Sequence, residues 1–79
     1  MIVEKIVPSF PSFAYEAGDC RAMFEPVDYL VFSGLKARNQ VETLFFIEVK
    51  SGNARLTGSQ QSIKKVVENG SIEFKITSN

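Results

Sequence analysis

Histidine and tryptophan are absent from this chain of 79 residues, cysteine occurs once, and the formal net charge is zero. Without an imidazole, Ser-His-Asp hydrolysis and most zinc sites with nitrogen ligands are excluded. The lone Cys20 forbids an intramolecular disulfide, which fits a reducing compartment, and no histidine is present to activate it as a nucleophile. It reads as a small apolar side chain beside a strand. No apolar stretch nears the ~18 residues that a membrane span needs, and Glu4 and Lys5 interrupt any leader core. A cytoplasmic location with no membrane partner is expected. Nine bases cancel nine acids, so no global field draws in nucleic acid and any such attraction must come from local patches. Carboxylates, amides and lysines are what remains for chemistry, and no organic cofactor is implied.

Hydrophobic residues make up 44 % of the chain and charged residues 23 %, which places it among globular proteins rather than disordered ones. Its length suits a single domain spanning 1–79. A chain this short buries only roughly 60 to 65 % of the surface its unfolded form exposes, so a partner subunit or a bound ion is expected to add stability. Charge is uneven along it. The first fifty residues carry seven acids against five bases, whereas from Ser51 onward Arg55, Lys64, Lys65 and Lys75 outnumber Glu68 and Glu73.

The stretch Glu42-Thr43-Leu44-Phe45-Phe46-Ile47-Glu48-Val49-Lys50 reads as a strand, because side chains alternate and both faces begin apolar. A run apolar on both faces predicts a strand covered on both sides. Leu44, Phe46, Glu48 and Lys50 share one face, so on that face the pattern breaks into a carboxylate and an ammonium two residues apart. Ions near a core are costly unless paired or metal-bound, which makes this strand end the candidate site.

Residues 1–7 have the spacing of a short helix ended by Pro8, and 8–13 read as an extended connector. A turn at 16–19 leads to an edge strand at 20–24, and 27–32 form a second strand. Residues 33–40 supply turn chemistry for a hairpin. If that hairpin is symmetric about Arg38, Asp28 and Glu48 stand opposite each other, each ten residues from the centre. Directly opposed residues have Cβ atoms ~5 Å apart, close enough for two carboxylates to share one cation and repulsive without it. Thr57 with Gln60 three residues on is a capping-box start, Asn69-Gly70 the matching stop, and Ile63, Val66 and Val67 the apolar stripe between them. Alternation over 71–77 predicts a half-exposed final strand.

Pro26-Val27-Asp28, then Glu48-Val49-Lys50 on the next strand, then a helix opening Thr57-Gly58-Ser59-Gln60, resembles the PD-(D/E)xK nuclease superfamily. More closely it resembles small endonucleases related to archaeal Holliday junction resolvases, over most of the chain from about Glu25 to Phe74. The resemblance implies a restriction-endonuclease-like α+β fold: a central mixed sheet of three or four strands, the Thr57 helix on one face and a minimal N-terminal helix near the other. It implies a magnesium-dependent endonuclease acting on branched or otherwise structured DNA, with manganese able to substitute. Asp28 and Glu48 would hold the metal, Lys50 would activate the attacking water and neutralise phosphate charge, and Gln60 would reach towards the scissile phosphate. Glu4 is the one acid placed to stand in for the acidic residue of the family's first helix. Arg38, Arg55, Lys64 and Lys65 are candidate DNA contacts, and a two-fold homodimer would suit a junction.

Each residue also has a plainer reading. Glu48 and Lys50 suit a solvated ion pair, Asp28 a turn, Gln60 a cap only with Gln61 as its substitute, and the basic residues a wet helix face. A non-catalytic nucleic-acid- or protein-binding module is the alternative function.

Overall fold

The computed structural model describes residues 14–78. The expected helix at 1–7, with Glu4, and the connector at 8–13 lie outside the described residues. The chain separates into two compact units, Met1–Val49 and Lys50–Asn79, each described by itself.

In the first unit a 3-10 turn, Ala17–Asp19, leads into β1, Cys20–Ala22. Then come β2, Tyr29–Ser33, a one-turn helix α1, Leu35–Arg38, and β3, Thr43–Ile47. The strands form one sheet in the order β1-β2-β3, antiparallel throughout. The α+β class therefore holds, but the sheet is antiparallel where a mixed one was expected. A parallel neighbour needs a crossover connection, and the final strand expected after the Thr57 helix, 71–77, does not form.

Hairpin register follows the expected centre. Tyr29 pairs with Ile47, Leu30 with Phe46, Val31 with Phe45, Phe32 with Leu44 and Ser33 with Thr43, all symmetric about Arg38. The connection is more ordered than a plain loop, because Gly34 (φ 97°) and Asn39 (φ 52°) take left-handed conformations on either side of α1. These are residue types that tolerate that region. A Cβ at Gly34 would lie 2.5 Å from the Gln40 carbonyl oxygen, so the turn accepts no side chain there.

Cys20, Val27 and Val31 form the buried apolar centre, with Val31 paired to Cys20 on one side and Phe45 on the other. The expectation that β3 is covered on both sides is corrected: Leu44 and Phe45 remain 40 % and 37 % exposed. As neighbours in a strand these two point to opposite faces, so neither face of β3 is fully covered. Tyr15 meets Phe45 in a tilted ring contact at 5.4 Å.

The second unit is built on α2, Gly58–Glu68. Thr57 Oγ1 accepts the Gln60 N–H at 3.2 Å and Gln60 Oε1 accepts the Thr57 N–H at 3.0 Å, the reciprocal capping box expected from the sequence. At the other end Gly70 (φ 71°) reverses the chain, and the N–H groups of Gly70 and Ser71 donate back to the carbonyls of Val67 and Val66. Residues 71–77 are corrected from strand to irregular chain. Strand structure requires a neighbour to receive its backbone groups, and here Phe74 and Ile76 stand 92 % and 89 % exposed.

Candidate active site

Asp28 is positioned by a closed loop. The N–H groups of Met23 and Phe24 both donate to the Asp28 carbonyl, at 2.8 and 3.4 Å, and the buried Val27 anchors the chain just before it. Within the loop Phe24 takes a left-handed conformation (φ 75°) that is uncommon for a bulky residue. Phe24 is 55 % exposed, and it lines, with Ala22, Asp28 and Tyr29, a cavity of about 130 Å³.

On the facing strand, the Asp28 N–H donates to the Ile47 carbonyl at 3.1 Å and Asp28 Oδ2 accepts the Val49 N–H at 2.9 Å. Asp28 thus ties down the residues on both sides of Glu48. The regular ladder ends one step earlier, at Tyr29 and Ile47, so both acids lie just past the sheet rather than within it. Glu48 is half-buried and its Oε1 is shielded from solvent. The Tyr29 hydroxyl is pushed above its ordinary pKa by burial, with the Asp28 charge adding to the effect and that of Cys20 contributing less.

Lys50 and Gln60 belong to the second unit. Lys50 is exposed, while Gln60 is half-buried with its Oε1 engaged at Thr57. Gln61, the substitute for Gln60, donates through Nε2 to the Leu56 carbonyl at 3.2 Å. Arg55, Lys64 and Lys65 do come together, lining an open groove with Leu56, Gln61 and Glu68. Lys64 stands 4.0 Å from Glu68 there, so the groove is basic with one acid inside it. Arg38 lies in the first unit and pairs with Glu42 at 2.6 Å.

In the sequence Asp19 carries no signal beyond its place in the 16–19 turn. It is 5 % exposed, and its carboxylate accepts the Gly34 N–H at 3.1 Å and the Lys36 N–H at 2.8 Å. Its role is to hold the start of α1, and no local spacing signals it because its partners lie 15 and 17 residues away. Cys20 is buried and its thiol is raised above its ordinary pKa by that burial and by Asp19, which keeps it a protonated, passive side chain.

Among the described residues no group of three or more His, Cys, Asp or Glu gathers as a metal site, and no helix is long and apolar enough to cross a membrane. Over residues 1–79 the chain matches the family model described as endonuclease related to archaeal Holliday junction resolvase. None of the curated proteins and none of the solved structures compared with it matches.

Proposed function

Because the chain belongs to the family of endonucleases related to archaeal Holliday junction resolvase, we propose that it is a metal-dependent DNA endonuclease that hydrolyses phosphodiester bonds in branched or structured DNA. The observation that carries this reading is the hold of Asp28 on both sides of Glu48, through Ile47 and Val49. It holds the backbone on either side of Glu48 against Asp28, just past one end of the sheet.

Asp28 and Glu48 are the residues that would hold magnesium, or manganese in its place. Their hard oxygen donors suit an ion that keeps several waters and takes few carboxylates, so the absence of a third described acid is compatible with it. When bound, the ion supplies Lewis-acid polarisation of a phosphate oxygen and a more acidic water. Glu4 is the proposed further acid.

Lys50 follows Glu48 by two residues. Its proposed role is to orient the attacking water and to neutralise charge that develops on the phosphate, as a compact ammonium can. With Gln60 Oε1 committed to the cap, the contact to the scissile phosphate falls to its Nε2. Arg55, Lys64 and Lys65, on one groove, and Arg38 are proposed to receive neighbouring phosphates.

The restriction-endonuclease-like fold and a single domain over both units belong to the same proposal, supported by a family match that spans both units; a homodimer belongs to it because two-fold symmetry would suit a junction. The test is cleavage of a synthetic four-way junction by the full chain in magnesium, manganese and EDTA. Cleavage in either metal and none in EDTA is expected; cleavage unaffected by EDTA, or none in either metal, contradicts it.

One observation favours the alternative of a non-catalytic binding module, namely that Gln60 is already engaged in the capping box. That reading predicts junction binding, and a rise in Tm with magnesium, without cleavage.

A further inference from the structure

The segment 71–77 reads Ser-Ile-Glu-Phe-Lys-Ile-Thr, and it is symmetric about Phe74. Hydroxyl residues stand at its ends, isoleucines next, then charges of opposite sign, then the central aromatic. Ile72, Phe74 and Ile76 are 46 %, 92 % and 89 % exposed, so the most apolar side chains of the segment are in water. Glu73 and Lys75 lie 3.8 Å apart with side chains about three-quarters exposed.

We propose that this segment is the two-fold contact of a homodimer, pairing antiparallel with the same segment of a second copy, with Phe74 opposite Phe74. In that register Ile72 faces Ile76, Glu73 faces Lys75, and Ser71 faces Thr77 of the other copy, each contact occurring twice as a two-fold axis requires. Opposite charges directly across an antiparallel pair are favourable and like charges unfavourable.

That charge rule selects this register over its neighbours. A shift of one residue sets apolar side chains against charged ones. A shift of two sets Glu73 against Glu73, or Lys75 against Lys75. A parallel, in-register pair opposes like charges at both positions. The antiparallel arrangement centred on Phe74 alone satisfies both charges and keeps all the apolar side chains on one face.

Pairing also gives the backbone groups of 71–77 the neighbour that a strand requires. An isolated two-stranded ribbon is marginal. Within the same unit, Val66 and Val67 of α2 are 41 % and 37 % exposed and supply further apolar surface, and the Ser71 N–H donates to the Val66 carbonyl at 3.0 Å.

This inference rests on the homodimer of the endonuclease reading and locates its contact; its test needs neither DNA nor metal, so its failure is distinct from a failure of the cleavage test. Sedimentation equilibrium of the full chain is measured for the native protein, Glu73→Lys, Lys75→Glu and the double exchange E73K/K75E. The native chain is expected to dimerise. Each single reversal opposes like charges twice and is expected to weaken the dimer by roughly tenfold or more in Kd. The double exchange recreates the opposite-charge pairs and is expected to restore native affinity. A native chain that stays monomeric, a dimer indifferent to the single reversals, or a double exchange no better than the singles would overturn the proposal. These substitutions lie on exposed side chains, so loss of folding is not a competing explanation; circular dichroism of each variant checks this.

Discussion

Asp28 accepts the Val49 N–H through Oδ2 at 2.9 Å while its own N–H donates to the Ile47 carbonyl at 3.1 Å. The side-chain bond is lost in Asp28→Ala but kept in Asp28→Asn, whose amide oxygen can accept it. Urea unfolding should therefore place Asp28→Ala about 1 kcal/mol below the native protein. Asp28→Asn should fall within about 0.5 kcal/mol of native, or slightly above it without metal, because a charge near Glu48 is removed. Equal losses in both variants would mean that the Val49 contact contributes nothing.

Asp19 is the buried carboxylate of the described chain, and both of its oxygens receive backbone N–H groups at the start of α1. Asp19→Ala strands two donors. A loss of about 2 to 4 kcal/mol is expected in urea unfolding, with Asp19→Asn intermediate because it retains one acceptor.

Thr57 and Gln60 cap α2 reciprocally. Thr57→Ala should cost about 1 kcal/mol of stability without changing cleavage of a junction by the folded protein. Gln60→Ala should lose comparable stability and also slow cleavage. Equal cleavage rates for the two folded variants would reduce Gln60 to a cap.

The raised pKa of Cys20 gives a pH dependence whose sign is fixed. The unfolded thiol ionises near 9.0, whereas the folded one is held protonated by burial first and by Asp19 next. Stability from this source is complete below that value and is lost as pH rises through the higher folded pKa. Tyr29 acts in the same direction from 10.0 upward. Stability measured between pH 8 and pH 10 should decline less steeply in Cys20→Ala than in the native chain; identical slopes would contradict this.

Local features were the legible ones. The Arg38-centred register, the capping box at Thr57 and Gln60, and the Gly70 stop all follow from short-range spacing, where steric rules act over a few residues. The buried role of Asp19 was not legible, since it joins segments that are adjacent only after the sheet has formed. Strand alternation over 71–77 indicated which side chains share a face, but whether a strand forms depends on a neighbour that no local pattern supplies. Likewise the apolar run of β3 predicts cover on both faces, but cover depends on elements packed over the sheet that the run does not specify, and Leu44 and Phe45, on opposite faces, stay 40 % and 37 % exposed. The spacing about Arg38 sets Asp28 opposite Glu48, and the ladder stops one step short of that pair, at Tyr29 and Ile47. The hydrogen bonds of Asp28 to Ile47 and Val49 were not legible, because they form where the ladder ends.

The most direct measurement is single-turnover cleavage of a four-way junction in magnesium by the native chain, Asp28→Asn and Glu48→Gln, with folding verified by circular dichroism. Both variants keep the shape of the side chain and remove one charge. Loss of cleavage by at least ~100-fold in each, with junction binding retained, is predicted. Native-like cleavage by either folded variant would contradict the assignment of these two acids to the metal.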